Sequence, residues 1–416
     1  MRTFTFNCYA LSVSVAAVLV TGCGGSQPTG APSAVPQSGI RPGSSSYKVL
    51  YAFDEYPNGE APVGGLLDVG GTLYGAASNG GLKKCFERRS GGCGTVFSIT
   101  PKRAEKLLYT FTVATGALPQ SRLIDVQGTL YGTTYRGGPS GVGTVYSIST
   151  TGSEAVLYSF KGTTDGAYPS AGVISVNHTL YGTNTYGGGD HHDGGTVYSV
   201  SLSGVHTVLH GFKATSDGHD PVGGLIDVNG TLYGTTVSDG RSGACCGTVY
   251  SITTSGKETV LYRFAGGSDG ARPLGTLLNV NGTLYGTTIS GGTGCGSTHG
   301  CGTVYTITTS GNEKVLYRFA GGSDGANPAA GLIDVNGTLY GTTVHGGAPS
   351  CSCGTVYSIS ASGAETVLYR FAGGTDGTNP QAPLAAVKGT LYGTTAYGGD
   401  PQKRQSCCGT VFALTP

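Results

Sequence analysis

From Tyr47 onward the chain alternates short apolar runs with turn-forming pairs. In one stretch, Leu225-Ile226-Asp227-Val228 is followed by Asn229-Gly230 and then by Thr231-Leu232-Tyr233-Gly234-Thr235-Thr236. Two strand-like runs flanking Asn-Gly predict a hairpin with a type I′ turn, because that turn requires two consecutive positive φ angles. Gly247-Thr248-Val249-Tyr250-Ser251-Ile252 predicts a third strand. Ser255-Gly256 then turns the chain into a fourth, Glu258 to Phe264. These are designated strands A, B, C and D, and together they read as one antiparallel sheet with no room for a helix.

The unit repeats. Its B-strand tyrosine recurs seven times, at Tyr74, Tyr131, Tyr181, Tyr233, Tyr285, Tyr340 and Tyr392. A Gly-Thr-Val-Tyr/Phe segment follows each copy, and a D-type run ends at Phe53, Phe111, Phe160, Phe212, Phe264, Phe319 and Phe371. A period of about 50 residues with four strands per unit is that of a kelch-like β-propeller blade. The fold class predicted is therefore all-β, a seven-bladed propeller of four-stranded antiparallel blades over residues 47–416. The run opens with a D-type strand, Val49 to Phe53, and ends with a C-type strand, Gly409 to Leu414. If the N-terminal strand completes the last blade, the ring closes with no strand left unpaired at the seam. An open solenoid is the alternative, with an unpaired strand at one end.

Length variation is concentrated in one loop. The separation from B-strand Tyr to C-strand Val runs from 14 to 22 residues, whereas that from C-strand Val to D-strand Phe is 15 wherever both lie in one repeat. Variable loops on a rigid scaffold are where binding usually resides, so the face carrying the BC and DA connections is the candidate binding face. Neutral drift in exposed loops is the competing explanation.

Composition narrows the function. Gly accounts for 76 of 416 residues, and charged residues for only 11%. With 24 Lys and Arg against 23 Asp and Glu and no basic run, the chain lacks the means to neutralise several backbone phosphates, which argues against a nucleic-acid partner. No Gly-x-Ser-x-Gly, His-Glu-x-x-His or phosphate-loop motif occurs. No cofactor is implied, and no catalytic residue is nominated.

The N-terminus reads as a targeting segment. Arg2, a mostly apolar stretch from Ala10 to Val20, and Val20-Thr21-Gly22-Cys23 have the order of a signal peptide. The last four residues resemble the bacterial lipobox, which implies cleavage after residue 22 and lipidation of Cys23. Gly24 at the next position favours the outer membrane. Residues 24–46 are rich in Gly, Ser, Pro and Gln and read as a flexible tether.

Ten further cysteines fall in BC loops as close pairs: Cys85 and Cys93, Cys245 and Cys246, Cys295 and Cys301, Cys351 and Cys353, Cys407 and Cys408. Even number and export favour disulfides. The adjacent pairs are a harder case, since neighbouring Cα atoms lie about 3.8 Å apart, below the usual disulfide range of about 4.4–6.8 Å. They either form strained vicinal rings, pair with a neighbouring loop, or stay reduced. Asp190-His191-His192-Asp193 is the densest run of metal-type side chains, so His191, His192 and Asp193 are weak metal candidates, although adjacent loop histidines ordinarily face solvent. The recurrent Asp-Gly of the DA connection, as at Asp269-Gly270, reads as a turn rather than a calcium loop. Asp68, Asp125, Asp227 and Asp334 on strand A form a broken series of carboxylates, read as a solvated or hydrogen-bonded face rather than a cation ring.

The repeated string, as in Gly224 to Thr236 followed by Gly247-Thr248-Val249-Tyr250, resembles the GloVer tandem repeat of bacterial exported, "choice-of-anchor" proteins. That resemblance implies surface display and supplies no activity. Here the anchor would be an N-terminal lipid rather than a C-terminal sorting signal. The expected protein is a surface-anchored, monomeric, non-catalytic binding or scaffold module that presents its BC face to a glycan or an envelope protein. The alternative is an extracellular polysaccharide hydrolase or lyase working in the central channel.

Overall fold

The computed structural model describes residues 46–416, apart from 55, 84, 87–90, 103, 189–193, 214–215, 241–245, 296–299 and 401–407. The segment containing Cys23 and the run His191, His192 and Asp193 lie outside the described residues. The chain forms seven sheets of four antiparallel strands. In the fourth blade the strands are Ile226–Val228, Thr231–Thr236, Thr248–Thr253 and Glu258–Arg263, within a residue of those predicted. Asn229 and Gly230 take φ 54° and 83°, as the Asn-Gly turn requires. Among the described residues there is no α-helix. The DA crossovers of the last three linked blades each add a single 3-10 turn, as at Gly322–Asp324.

Strand A of each blade neighbours strand A of the next, and the series closes from the seventh blade back to the first. The remaining sheet is made by Ser46–Ala52 lying against Thr410–Thr415, so the N-terminal strand supplies the missing D strand. Its register shift between Val49 and Tyr51 reproduces the bulge found in the other D strands, for example between Val145 and Tyr146 where they meet strand D. Tyr47 also stacks on Tyr369 of the sixth blade at 3.9 Å, and its hydroxyl donates to the Asp376 carbonyl at 2.8 Å.

The hydrophobic core lies between blades, in seven clusters. Each seam holds an edge-to-face pair from the D-strand Phe of one blade to the C-strand aromatic of the next. Phe212–Tyr250, Phe264–Tyr305 and Phe371–Phe412 have centroids 5.0, 4.9 and 5.3 Å apart. This explains why both aromatic positions repeat. It also explains the Tyr-Gly of strand B: a Cβ on Gly234 would lie 2.5 Å from the Tyr250 hydroxyl.

Candidate functional site

The BC and DA connections share one face and are sewn together there. In the second blade, Ala117 N–H donates to the Arg136 carbonyl at 2.7 Å, and Arg136 N–H returns to Ala117 at 2.8 Å. The equivalent bridge recurs in all seven blades. The next residue along the crossover reaches back to the preceding blade: Leu118 N–H to Cys93 O, Tyr168 N–H to Val142 O, and Arg272 N–H to Cys246 O, each 2.8 Å. In every blade that residue is a non-glycine held at positive φ, between 55° and 59°, at Ala61, Leu118, Tyr168, Asp220, Arg272, Asn327 and Asn379. Each precedes a proline. A left-handed residue with a Cβ costs about 1–3 kcal/mol, and here the two-way stitching of its neighbours imposes that conformation. The backbone is thus fixed while the side chain differs: small, aliphatic, aromatic, acidic, basic or amide around one ring, with the two amides, Asn327 and Asn379, donating to the Ile289 and Val344 carbonyls and Leu118 packing on the core. Sequence reasoning did not single out this position, although seven X-Pro pairs with six different residues at X were its visible trace.

Two of these positions open onto distinct surfaces. Tyr168 lies 5.1 Å from Tyr135 and stands edge-on to Tyr186 at 5.8 Å. The Arg136 guanidinium sits 5.2 Å above the Tyr168 ring and 5.9 Å from that of Tyr135. All four side chains are half-buried, forming an aromatic and cationic cluster across the second and third blades. Between the fifth and sixth blades, Asn327, His345 and the Cys295 and Cys351 loops border an open cleft of about 690 Å³.

The cysteines stiffen these loops. Cys85–Cys93, Cys295–Cys301 and Cys351–Cys353 are disulfides, with Cα separations of 4.9, 5.6 and 5.3 Å. Cys246 and Cys408 are also disulfide-bonded, which removes the reduced alternative for them; Cys245 and Cys407 lie outside the described residues. Three of the four A-strand acids serve their own hairpins. Asp68, Asp227 and Asp334 each accept the turn N–H three residues on, at 2.9, 2.9 and 3.0 Å.

A polar arrangement that the sequence reading did not assemble lies at the blade seams. The Asp of each Asp-Gly accepts a crossover N–H, as from Ala320 to Asp324 at 2.6 Å, which is the turn role expected. It also accepts the hydroxyl of a D-strand tyrosine: Tyr158 on Asp165, Tyr262 on Asp269 and Tyr317 on Asp324, at 2.8, 2.8 and 2.7 Å. The first residue of the next D strand, usually Glu, comes alongside. Burial, with the nearby aspartate adding to it, pushes Glu313 and Glu365 up to about 7. At the seam of the third and fourth blades the tyrosine is replaced by His210, whose Nε2 lies 2.9 Å from Asp217 Oδ2. One seam earlier the glutamate is replaced by His206, stacked on Tyr158 at 4.2 Å and pushed down by burial. The odd histidines of the third blade therefore sit between D strands.

Comparison with known proteins places the repeat. The family described as the Gloeobacter/Verrucomicrobia repeat matches residues 38–192, 85–298 and 291–416. No curated protein matches the chain. Among solved structures, a puromycin hydrolase is 12% identical with a TM-score of 0.52, over 82% of this chain and 52% of that one; the chain thus spans about half of that protein. A gluconolactonase of Xanthomonas campestris is 15% identical with a TM-score of 0.41, over 69% of this chain and 82% of that one. A luciferin-regenerating enzyme is 14% identical with a TM-score of 0.43, over 90% and 96%. At these identities the likeness concerns the fold alone.

Proposed function

The chain belongs to the Gloeobacter/Verrucomicrobia repeat family, and from that premise we propose that it is a non-catalytic binding module of the bacterial envelope. It is exported, held to the membrane through a lipid on Cys23, and binds through the BC/DA face. The observation that carries this reading is the ring of left-handed positions, where one backbone conformation carries six different residue types at seven places, all but the buried Ala61 half-buried at the rim. A scaffold that repeats its core and varies its rim is organised for recognition. The Tyr135, Arg136, Tyr168 and Tyr186 cluster is the strongest subsite on that rim, offering flat apolar rings and one cation to a glycan. The disulfide-braced loops fit an oxidising compartment. The channel-enzyme alternative has less support, because three of the four A-strand carboxylates accept a hydrogen bond from their own turns.

The test is retention of the purified chain on a panel of bacterial and plant polysaccharides, with the flow-through assayed for new reducing or unsaturated ends. Retention without cleavage, lost in Tyr168→Ala and kept in His345→Ala, is the expected result. New chain ends would overturn the reading in favour of a hydrolase or lyase. For the anchor, Cys23→Ser should release the protein from the membrane fraction.

A further inference from the structure

We propose that His210, Asp217 and Glu258 form a zinc-type divalent metal site that ties the third blade to the fourth. The argument begins with the repeat. At four other seams a D-strand tyrosine donates its hydroxyl to the aspartate seven residues on, as in Tyr262–Asp269 and Tyr369–Asp376. A phenol buried beside carboxylates stays protonated and is a donor, not a ligand; its pKa is pushed upward by burial at each of these positions. Only between the third and fourth blades does an imidazole occupy the place while both carboxylates are kept.

That single exchange turns a hydrogen-bonded seam into a donor set of one nitrogen and two oxygens. The ligating atoms of the three residues all lie within 4.8 Å of one another. A tetrahedral zinc with bonds of about 2.0–2.1 Å places its ligand atoms about 3.3 Å apart, so small side-chain adjustments admit the ion. Asp217 Oδ1 accepts the Lys213 N–H at 2.7 Å, which orients the carboxylate and leaves Oδ2 directed at His210. The His210 ring is braced edge-on by Phe212 at 4.9 Å. Glu258 Oε1 is buried with no hydrogen-bond partner, a property it shares with the same oxygen of Glu105, Glu154, Glu313 and Glu365; what sets this seam apart is the imidazole nitrogen brought within 4.8 Å of both carboxylates. Arg263 is the opposing charge nearby; its guanidinium is held by the backbone carbonyls of Ser216 and Asp239. Two carboxylates outweigh it, and a divalent ion balances the site. With three protein ligands the fourth position is left to water.

The experiment uses tag-free, non-reduced chain, stripped with EDTA and titrated with zinc chloride by calorimetry. One equivalent should bind and raise the melting temperature. His210→Tyr restores the residue used at the neighbouring seams, so it should fold and melt like the metal-free parent. It should weaken zinc binding by roughly 100-fold or more, beyond the loss typical of an outer-shell change. A His191→Ala/His192→Ala variant should bind as the parent does. Absence of saturable binding, binding that survives His210→Tyr, or binding lost in the double variant would each overturn the proposal.

Discussion

Five C-strand tyrosines, Tyr146, Tyr198, Tyr250, Tyr305 and Tyr357, are fully buried with hydroxyls that have no partner among the described residues. The first and seventh blades use Phe97 and Phe412 at the same place. Leaving a buried hydroxyl unpaired costs about 1–3 kcal/mol, whereas an apolar group of the same shape is tolerated. Tyr305→Phe should therefore be neutral or stabilising by about 1 kcal/mol in chemical denaturation; a loss of that size would mean the hydroxyl is satisfied. The seam glutamates give a second test. Glu313 and Glu365 move from an ordinary 4.5 up to about 7, and Glu105 and Glu154 are pushed up as well, burial being the main cause in each. Between those values the folded state holds protons that the unfolded chain has released, so stability falls as pH rises through this window. The melting temperature should be higher at pH 5 than at pH 8. Glu313→Gln with Glu365→Gln should flatten that slope and raise the value at pH 8. His206, pushed down by burial, acts in the opposite direction as one group against several. None of this was legible in the sequence, because the Glu of one repeat meets the Tyr and Asp of the previous one only after blades stack.

The elements were more legible than their joints. Asn-Gly pairs announce hairpins because the turn's two positive φ angles are a local demand. The bulge in every D strand is set by pairing with strand C and leaves no comparable trace. The DA crossover is intermediate: Asp-Gly marks a turn, but the reason for the glycine is tertiary. At Gly325, φ is 98°, and a Cβ would lie 2.6 and 2.8 Å from the hydroxyls of Thr343 and Thr355. Those hydroxyls are 2.8 Å apart and join strands B and C beneath the crossover. Gly325→Ala thus combines backbone strain with displacement of a buried hydrogen bond, and should cost about 2–3 kcal/mol. Thr343→Ala in the same background should recover part of that loss by clearing space. The candidate site shows the same division. Its loops could be located from length variation, and its cysteines from their pairing. The left-handed ring behind it required knowing which carbonyl each crossover N–H reaches.

For the whole molecule, closure is the decisive feature, and it could be read from the order of strand types because an unpaired D strand and a three-stranded blade stand at opposite ends of the repeat. The closing strand does more than cap an edge. Leu50 and Phe53 are 5% and 1% exposed, and Tyr47 is stacked into the sixth blade. At about 1.5–3 kcal/mol per fully buried side chain, Leu50 and Phe53 alone contribute on the order of 3–6 kcal/mol, a large part of the net stability of about 5–15 kcal/mol of a typical native protein. Losing the closing strand should therefore remove much of the molecule's net stability. Removal of residues 46–53 should yield a chain that aggregates through the exposed strand Thr410–Thr415 or unfolds without a cooperative transition. A synthetic peptide carrying residues 46–53 should restore the cooperative melt when added in excess. Leu50→Ala in the intact chain should lower stability by about 2–5 kcal/mol while keeping one transition. If the truncated protein instead melts cooperatively without the peptide, six complete blades and a three-stranded seventh are sufficient, and the lock assigned to the N-terminal strand is not what holds the ring.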